Sequence, residues 1–282
     1  MEKNMAQVFM RFPGGREKAL TFSYDDGVEQ DQKLIDIFKE YGMRATFNLN
    51  SGLYAEEETK YPEGQVHRRM SESMVSKLYK QEGIEVAIHG STHPWLDHMP
   101  VNMCTKDLME DREKLEQQFG TIVRGMAYPY GTYNDDVVAS MRAVGIVYSR
   151  NVHSTHNFDM PQDWMRLPST CHHNDPELMN LANRFLTETG WGRPWMFYLW
   201  GHSYEFEQNN NWEVIEEFVK LMANRDDIWY ATNIEIYNYQ DAFKRLLFSM
   251  DGKIVTNPTA YELWFWLNGK VYSVKAGETL TI

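Results

Sequence analysis

Two adjacent carboxylates stand at the end of an apolar run in this sequence. Asp25 and Asp26 close the segment KALTFSYDDG (18–27), which has the pattern of a strand entering a turn. On an extended chain adjacent side chains point in different directions, so one carboxylate can bind a metal ion while the other faces a substrate. Taken alone, an Asp-Asp-Gly sequence is more often a turn with a helix cap.

Two histidines four positions apart follow another apolar run. His89 and His93 come directly after Val-Ala-Ile, and Pro94 follows them. Two imidazoles at this spacing can reach one ion if the segment makes a helical turn. Neutral nitrogen ligands with one carboxylate suit a divalent ion such as zinc and leave positions open for water. Together with the acidic pair, the two histidines favour a metal site.

Two further polar clusters end predicted strands. In the segment 128–131, Tyr-Pro-Tyr-Gly, the proline restricts the turn and the glycine lets the backbone approach a ligand, although a simple strand exit has the same pattern. His202 follows the apolar run MFYLW, and it is interpreted either as a satisfied core residue or as a general acid.

A second histidine pair lies between a predicted strand and a helix that is expected to begin near Asp175. His172 and His173 could cap that helix, and His172 is also a candidate for substrate contact.

Short apolar runs alternate with longer amphipathic segments along most of the chain. This order is typical of βαβ units and a parallel sheet, and about eight strands favour an α/β fold of the (β/α) barrel type, whose chemistry lies where strands end. The predicted strands are 18–27, 44–52, 84–94, 121–131, 145–150, 164–170, 194–203 and 228–237, and the predicted helices are 27–42, 71–83, 102–119, 134–144, 175–188 and 211–224.

The last 37 residues have a different pattern, with turn signals between short alternating runs. We predict a barrel domain over 1–245 and a small antiparallel β appendage over 246–282, packed on the barrel. Asn268 and Gly269 are expected to form the turn of one hairpin. The appendage could simply close the barrel, or Trp264 and Trp266 could bind sugar.

Composition excludes several classes of function. The 282 residues carry 40 acidic and 28 basic side chains, a net charge of −12, which argues against a nucleic-acid partner. No apolar run approaches the roughly 20 residues of a membrane span. The first residues lack the apolar core of a secretory signal, and two cysteines cannot form a disulfide framework, so a cytoplasmic setting is expected. The oligomeric state stays open.

The four clusters, in this order, resemble the motifs of the polysaccharide deacetylases, carbohydrate esterase family 4 or the NodB-homology group. The segment 21–27 is similar to the family's TFDDG motif with two residues inserted, and RATFN is similar to its second strand. His89, His93 and Pro94 match the H-x-x-x-H-P motif, while AYPYG and LWGH correspond to two later motifs. The resemblance covers roughly residues 18–245 and implies an irregular (β/α) barrel.

The resemblance also implies an activity and a set of roles. The expected enzyme is a hydrolase of non-peptide carbon–nitrogen bonds that removes N-acetyl groups from an amino sugar, an oligosaccharide or a polysaccharide through metal-activated water. One divalent ion, with zinc as the expected metal, would be held by Asp26, His89 and His93. Asp25 would be the catalytic base, the backbone N–H of Tyr130 would stabilise the oxyanion, and His202 would protonate the departing amine.

One departure from the family concerns the arginine that orients the catalytic carboxylate. The corresponding position is Ala127, and Arg124, Arg150 and Arg166 are candidates for its replacement. Arg150 ends the apolar strand GIVYS, where side chains reach the barrel mouth, so we predict that Arg150 pairs with Asp25.

A second departure concerns the wall of the acetyl pocket. Trp200 stands where the family has leucine, with Leu199 beside it, so the bulkier wall could change which acyl group fits. Trp200, Leu199 and His172 are the expected substrate-binding residues. Two alternatives stay open, namely a hydrolase of a small non-sugar amide or imide and a carbohydrate-binding protein with impaired catalysis.

Overall fold

The computed structural model describes residues 7–282. The first six residues lie outside it, and they belong both to the predicted barrel domain and to the segment in which no secretory signal was predicted. Strands and helices alternate along most of the described residues. The helices are α1 (Asp31–Glu40), α2 (Glu72–Leu78), α3 (Val101–Phe119), α4 (Asp135–Ala143), α5 (Leu178–Thr187), α6 (Tyr204–Gln208), α7 (Glu213–Met222) and α8 (Asn233–Phe243). The strands are β1 (Val8–Arg11), β2 (Lys18–Asp25), β3 (Ala45–Leu49), β4 (Ile84–Ile88), β5 (Gly125–Ala127), β6 (Tyr148–Ser154), β7 (Leu167–Ser169), β8 (Cys171–His172), β9 (Trp195–Gly201), β10 (Ile228–Tyr230), β11 (Leu247–Phe248), β12 (Ile254–Thr256), β13 (Leu263–Leu267), β14 (Lys270–Val274) and β15 (Thr279–Thr281).

The central sheet is parallel and has the strand order β7-β6-β5-β4-β3-β2-β9-β8, with β10 added beside β2. Its two edges meet along 167–172, because β7 pairs with β6 while β8, two residues further on, pairs with β9. Between them, the backbone N–H of Thr170 donates to the carbonyl of Tyr198 at 2.9 Å. One continuous segment therefore joins both edges, and the predicted irregular (β/α) barrel is confirmed.

Alternation along the strands separates an apolar outer layer from a polar interior. Phe22 on β2 packs against Phe38 of α1, with ring centroids 4.5 Å apart. The neighbouring position Ser23 accepts a hydrogen bond from the side chain of Asn48 at 2.8 Å. The helices thus cover the outer face, and hydrogen-bonding side chains occupy part of the barrel interior.

The predicted strand over 228–237 is wrong beyond its first three residues. β10 ends at Tyr230, and α8 begins at Asn233. Thr232 and Glu235 form a capping box, in which the Glu235 carboxylate accepts the Thr232 backbone N–H at 2.8 Å. The alternation of Ile234 and Ile236 suggested a strand, but the reciprocal cap satisfies the free N–H groups of a helix instead.

The C-terminal residues form antiparallel sheets, with the predicted hairpin present as β13 and β14. Its turn has positive φ at Asn268 (49°) and Gly269 (89°), which this tight connection requires. β1 pairs with β13, so Val8–Arg11 lies in the C-terminal sheet and not in the parallel one. The domain boundary near residue 246 stays a prediction.

Among residues 7–282, no helix combines the length and the apolar character needed to cross a membrane.

Candidate active site

Asp25 is the last residue of β2, at the carboxyl end of the strand, and it is only 2% exposed. Arg150 of β6 donates a hydrogen bond to its Oδ2, and Asn48 of β3 donates to its Oδ1 at 2.8 Å. Burial raises the pKa of this carboxyl, but Arg150, His89 and His202 outweigh that effect and hold the pKa below its ordinary value. Asp25 is therefore an ionised carboxylate in a defined orientation.

The predicted pairing of Arg150 with Asp25 is present. Arg150 is 1% exposed, and its guanidinium carbon lies 4.1 Å from the centroid of the Trp200 ring. Arg166 instead forms ion pairs with Asp163 and Asp135, away from Asp25. The role of Arg150 in catalysis stays a prediction.

Asp26 leaves the strand with φ of 85°, a left-handed conformation that is uncommon for aspartate. Its Oδ2 lies 3.1 Å from His67 Nε2, and its Oδ1 accepts a hydrogen bond from Arg69 at 3.2 Å. Arg69 also donates to the Asp26 carbonyl and to Asn50 Oδ1, which ties the turn to the end of β3. Burial raises the pKa of Asp26, whereas His67 and Arg69 lower it, and the net pKa is well below the ordinary range.

His89 and His93 face the same point as Asp26, and one ligand atom from each of the three lies within 4.8 Å of the other two. The His89 Nδ1 lies 2.7 Å from the carbonyl of Ala127, so Nδ1 carries the hydrogen and Nε2 keeps its lone pair. Burial lowers the pKa of His93 to about 4, so this imidazole is neutral near pH 7. The three residues therefore have the protonation states of metal ligands.

His202 directly follows β9 and lies between the carboxylates of Asp25 and Glu205. Its Nε2 lies 3.9 Å from Asp25 Oδ2, and its Nδ1 lies 3.5 Å from Glu205 Oε1. Burial lowers the pKa of His202, but the Glu205 and Asp25 carboxylates raise it more, and the net pKa is above the ordinary value. The imidazolium is thus stabilised where it can donate a proton.

Glu205, at the start of α6, also contacts two other histidines. His172 Nε2 and His173 Nε2 lie 3.2 and 3.0 Å from Glu205 Oε2. The backbone N–H of Asn174 donates to His172 Nδ1 at 3.1 Å, so the neutral ring carries its hydrogen on Nε2 and directs it at Glu205. Although the donor atoms of these three residues also lie within 4.8 Å of one another, this tautomer makes His172 a hydrogen-bond donor and not a metal ligand.

Of the predicted substrate-binding residues, Trp200 and His172 border the site, whereas Leu199 does not. Trp200 faces the site, with its ring centroid 4.5 Å from that of His172. Leu199 is fully buried in the hydrophobic core that includes Phe22, so the structure does not bring it to the barrel mouth. His172 does not cap the next helix, because α5 begins at Leu178. Tyr130 has φ of 57° and lies half exposed beside His93.

Sequence reasoning missed several residues that border the site. Asn48 lies in the predicted strand 44–52, and Glu205 lies three residues after His202, so their positions near strand ends could have identified them. His67, Arg69 and Trp95 lie in loops, where no periodic pattern marks them.

The sequence model of the polysaccharide deacetylase family matches residues 13–149. The chain matches no curated protein. The predicted resemblance to this family is thereby confirmed over residues 13–149, and it supports the predicted enzyme class, a hydrolase of non-peptide carbon–nitrogen bonds.

Solved structures with the same fold share little sequence with the chain. A putative polysaccharide deacetylase from Mycobacterium smegmatis has a TM-score of 0.58 and 16% identity, over 83% of this chain and 93% of that one. The Xyl-CE4 domain of a multidomain xylanase from the hindgut metagenome of Trinervitermes trinervoides has a TM-score of 0.50 and 18% identity, over 80% and 92%. The Streptococcus pyogenes deacetylase PplD matches 47% of this chain, which spans only 55% of that protein, at 20% identity and a TM-score of 0.41. The first two similarities show the fold.

Proposed function

Because residues 13–149 match the polysaccharide deacetylases, we propose that the chain removes N-acetyl groups from an amino sugar or an acetylated saccharide. The observation that carries this proposal is the convergence of Asp25, Asp26, His89, His93 and His202 on one point at the mouth of the barrel. Amide hydrolysis requires an activated water, a stabilised oxyanion and a proton for the departing amine, and these residues have the chemistry for all three.

The residues fit a divalent ion. Asp26, His89 and His93 would hold it, with zinc as the expected metal, because a carboxylate and two neutral imidazoles form a set that this ion prefers. The hydrogen bond from His89 Nδ1 to the Ala127 carbonyl leaves Nε2 available and fixes the ring. When bound, such an ion supplies Lewis acidity and brings the pKa of water towards about 7.

Asp25 accepts the proton of the attacking water in this proposal. Its carboxylate is ionised and held from both sides by Arg150 and Asn48, so it does not need to reorient before accepting a proton. The Arg150 contact also weakens the hypothesis of impaired catalysis, which depended on the absence of an arginine at Ala127.

His202 donates a proton to the departing amine, since its Nε2 faces Asp25 across the site while Glu205 holds the other side of the ring. The backbone N–H of Tyr130 is assigned to the oxyanion. Trp200 and His172 border the same space, and the buried indole N–H of Trp200 has no hydrogen-bond partner among the described residues, which suits it to a substrate oxygen.

Acetate release tests the proposal. The zinc-loaded wild-type protein is incubated, with and without a chelator, with N-acetylated monosaccharides and N-acetylated oligosaccharides. We expect acetate from at least one saccharide, loss of activity with the chelator and recovery with added zinc. An Asp25→Asn variant that binds zinc normally is the matched inactive control. Activity that is equal in the wild type and in this variant, or no release from any saccharide, contradicts the proposal.

A further inference from the structure

We propose that Trp95 is a binding platform for the apolar face of a sugar ring next to the one that reacts, so that the substrate is an oligomer or polymer of neutral sugars. This inference rests on the proposed function and narrows its substrate class. The sequence motifs do not include Trp95, which lies just after Pro94.

Trp95 and Tyr130 form a parallel aromatic pair at the mouth of the barrel. Their ring centroids are 3.9 Å apart and their planes differ by 5°. Trp95 is nevertheless 48% exposed and Tyr130 is 47% exposed. One face of the indole packs on Tyr130, and a large apolar surface is left in solvent at the border of the candidate site. An exposed aromatic pair beside a candidate site offers apolar area on which a ligand can pack.

A row of four rings connects this platform to the candidate metal ligands. The centroid distances are 4.8 Å from His89 to His93, 4.4 Å from His93 to Tyr130 and 3.9 Å from Tyr130 to Trp95. Exposure rises along the row from 2% at His89 to 48% at Trp95. A ligand that lies on Trp95 is therefore outside the reacting position but close enough to be linked to a group that occupies it.

The platform is held in place before any ligand arrives. Trp95 precedes a single helical turn, Leu96–His98, and Tyr130 lies in another, Pro129–Gly131. Asp97 of the first turn accepts a hydrogen bond from Thr132 Oγ1 at 2.7 Å and, through its carbonyl, from Asn134 at 3.3 Å. Because the two turns are tied together, ordering the rings costs little on binding.

The chemistry of the platform selects the ligand. An aromatic ring offers apolar area and a negative face, and a pyranose presents a face of C–H groups that packs on such a surface. The chain has a net charge of −12, which disfavours an acidic polymer. We therefore assign the platform to neutral saccharide chains longer than one unit.

Binding of N-acetylglucosamine oligomers of one to five units tests this inference, with affinity measured calorimetrically in the presence of a chelator so that no turnover occurs. The variants are Trp95→Ala, Trp95→Phe and the control Trp191→Ala. Trp191 is 89% exposed and precedes β9 at the end of the barrel opposite His202. We expect the wild type to bind longer oligomers more tightly than the monomer, Trp95→Ala to lose about tenfold in affinity for oligomers only, Trp95→Phe to lose less, and the control to match the wild type.

Two results would overturn the platform. One is wild-type binding that does not increase with oligomer length, or that is unchanged in Trp95→Ala. The other comes from acetate release, measured separately on the zinc-loaded proteins without chelator: an equal loss with monomer and oligomers in Trp95→Ala would mean that Trp95 acts by holding Tyr130. Binding that depends on length and on Trp95, without acetate release from any saccharide, would contradict the proposed function and leave the platform intact.

Discussion

Ala127 on β5 and Arg150 on β6 are direct partners in the parallel sheet. The family resemblance implies an arginine at the first of these positions, and the structure has it at the second, where the guanidinium reaches the Asp25 carboxylate. The two positions lie at the same level of the barrel, so an arginine on either strand can orient the same group. This equivalence explains how the Asp25 carboxylate has an arginine partner although alanine stands in the motif.

The first prediction concerns Arg150. Arg150→Ala should lower kcat roughly 100-fold with metal content unchanged, because Asp25 loses its fixed orientation. Arg150→Lys should restore little, since an ammonium group cannot reproduce the planar fork of a guanidinium. Kinetics, metal analysis and circular dichroism check the result, with Arg166→Ala as the control. Full activity in Arg150→Ala, or loss of its metal, would show that this assignment is wrong.

The second prediction concerns His202. His202→Ala should keep its metal and lose roughly 10²–10⁴-fold in rate, because the departing amine lacks its proton donor. The exposed His153 supplies the control variant, His153→Ala, which should behave as the wild type. If His202→Ala instead loses its metal, the histidine is a ligand.

The third prediction concerns pH. Glu205 helps to raise the pKa of His202, and a general acid is active only while protonated, so activity should fall as pH rises through that pKa. Glu205→Gln removes the negative charge, lowers the pKa of His202 and should move this descending limb to lower pH. The pH dependence of kcat measures the shift, and an unchanged limb in Glu205→Gln would remove Glu205 from this role.

At the scale of elements, α3 anchors two loops of the site through a pair of carboxylates. Asp107 and Asp111 are four residues apart and therefore share one face of the helix. Asp107 accepts the backbone N–H of Ser91 at 3.0 Å, while Asp111 accepts those of Ser51 at 2.9 Å and His89 at 3.2 Å. The loops after β3 and β4 are thus fixed by one helix that contributes no catalytic group.

The fourth prediction follows from the burial of Asp111, which raises the pKa of its carboxyl from 3.8 to about 7. Between these values the folded chain binds more protons than the unfolded chain, so stability falls as pH rises through this window. Asp111→Asn removes this contribution, and the free energy of unfolding of the wild type should fall relative to the variant by up to about 1.4 kcal/mol per pH unit. Denaturant titrations at several pH values measure it. Exposed Glu113 of the same helix provides the control, Glu113→Gln, and equal slopes in wild type and Asp111→Asn would contradict the prediction.

At the scale of the whole molecule, the C-terminal sheet is joined to the barrel through a second hydrophobic core. This core contains Phe265 of β13, Phe12 and Tyr239 of α8. The Tyr239 hydroxyl also donates to the carbonyl of Arg11 at 2.8 Å and accepts the backbone N–H of Trp264 at 2.9 Å. Both ends of the described chain therefore share one core, and we expect the barrel and the C-terminal sheet to unfold together.

The fifth prediction tests that cooperativity. Phe265→Ala should destabilise the protein by about 3–5 kcal/mol, because it leaves a cavity at a fully buried position. Calorimetry should show one transition at lower temperature, whereas an additional early transition would mean that residues 246–282 unfold on their own. Val271→Ala, at a half-exposed position of β14, should have little effect.

The sequence by itself determined the elements and the chemistry at their ends. Apolar periodicity predicted the parallel barrel, Asn268-Gly269 predicted the hairpin, and the motif residues Asp25, Asp26, His89, His93 and His202 do meet at one point. These features depend on local rules, since the period of a strand, the conformation of a turn and the position of a strand end are set by a few consecutive residues. The capping box at Thr232 was equally local, and its signal was present where a strand was predicted.

Only the tertiary structure decided which side chains complete the site. His67 and Arg69, which contact Asp26, come from the loop after β3. Glu205 contacts His172 and His173 in addition to His202. Trp95 stacks on Tyr130 from a different loop. Arg150 and Asp25 are 125 residues apart in the chain and meet because strand order and register bring β6 and β2 to one interior. Such contacts follow from the closure of the barrel along 167–172, where β7 pairs with β6 at one edge of the sheet and β8 pairs with β9 at the other. No pattern of consecutive residues encodes this closure.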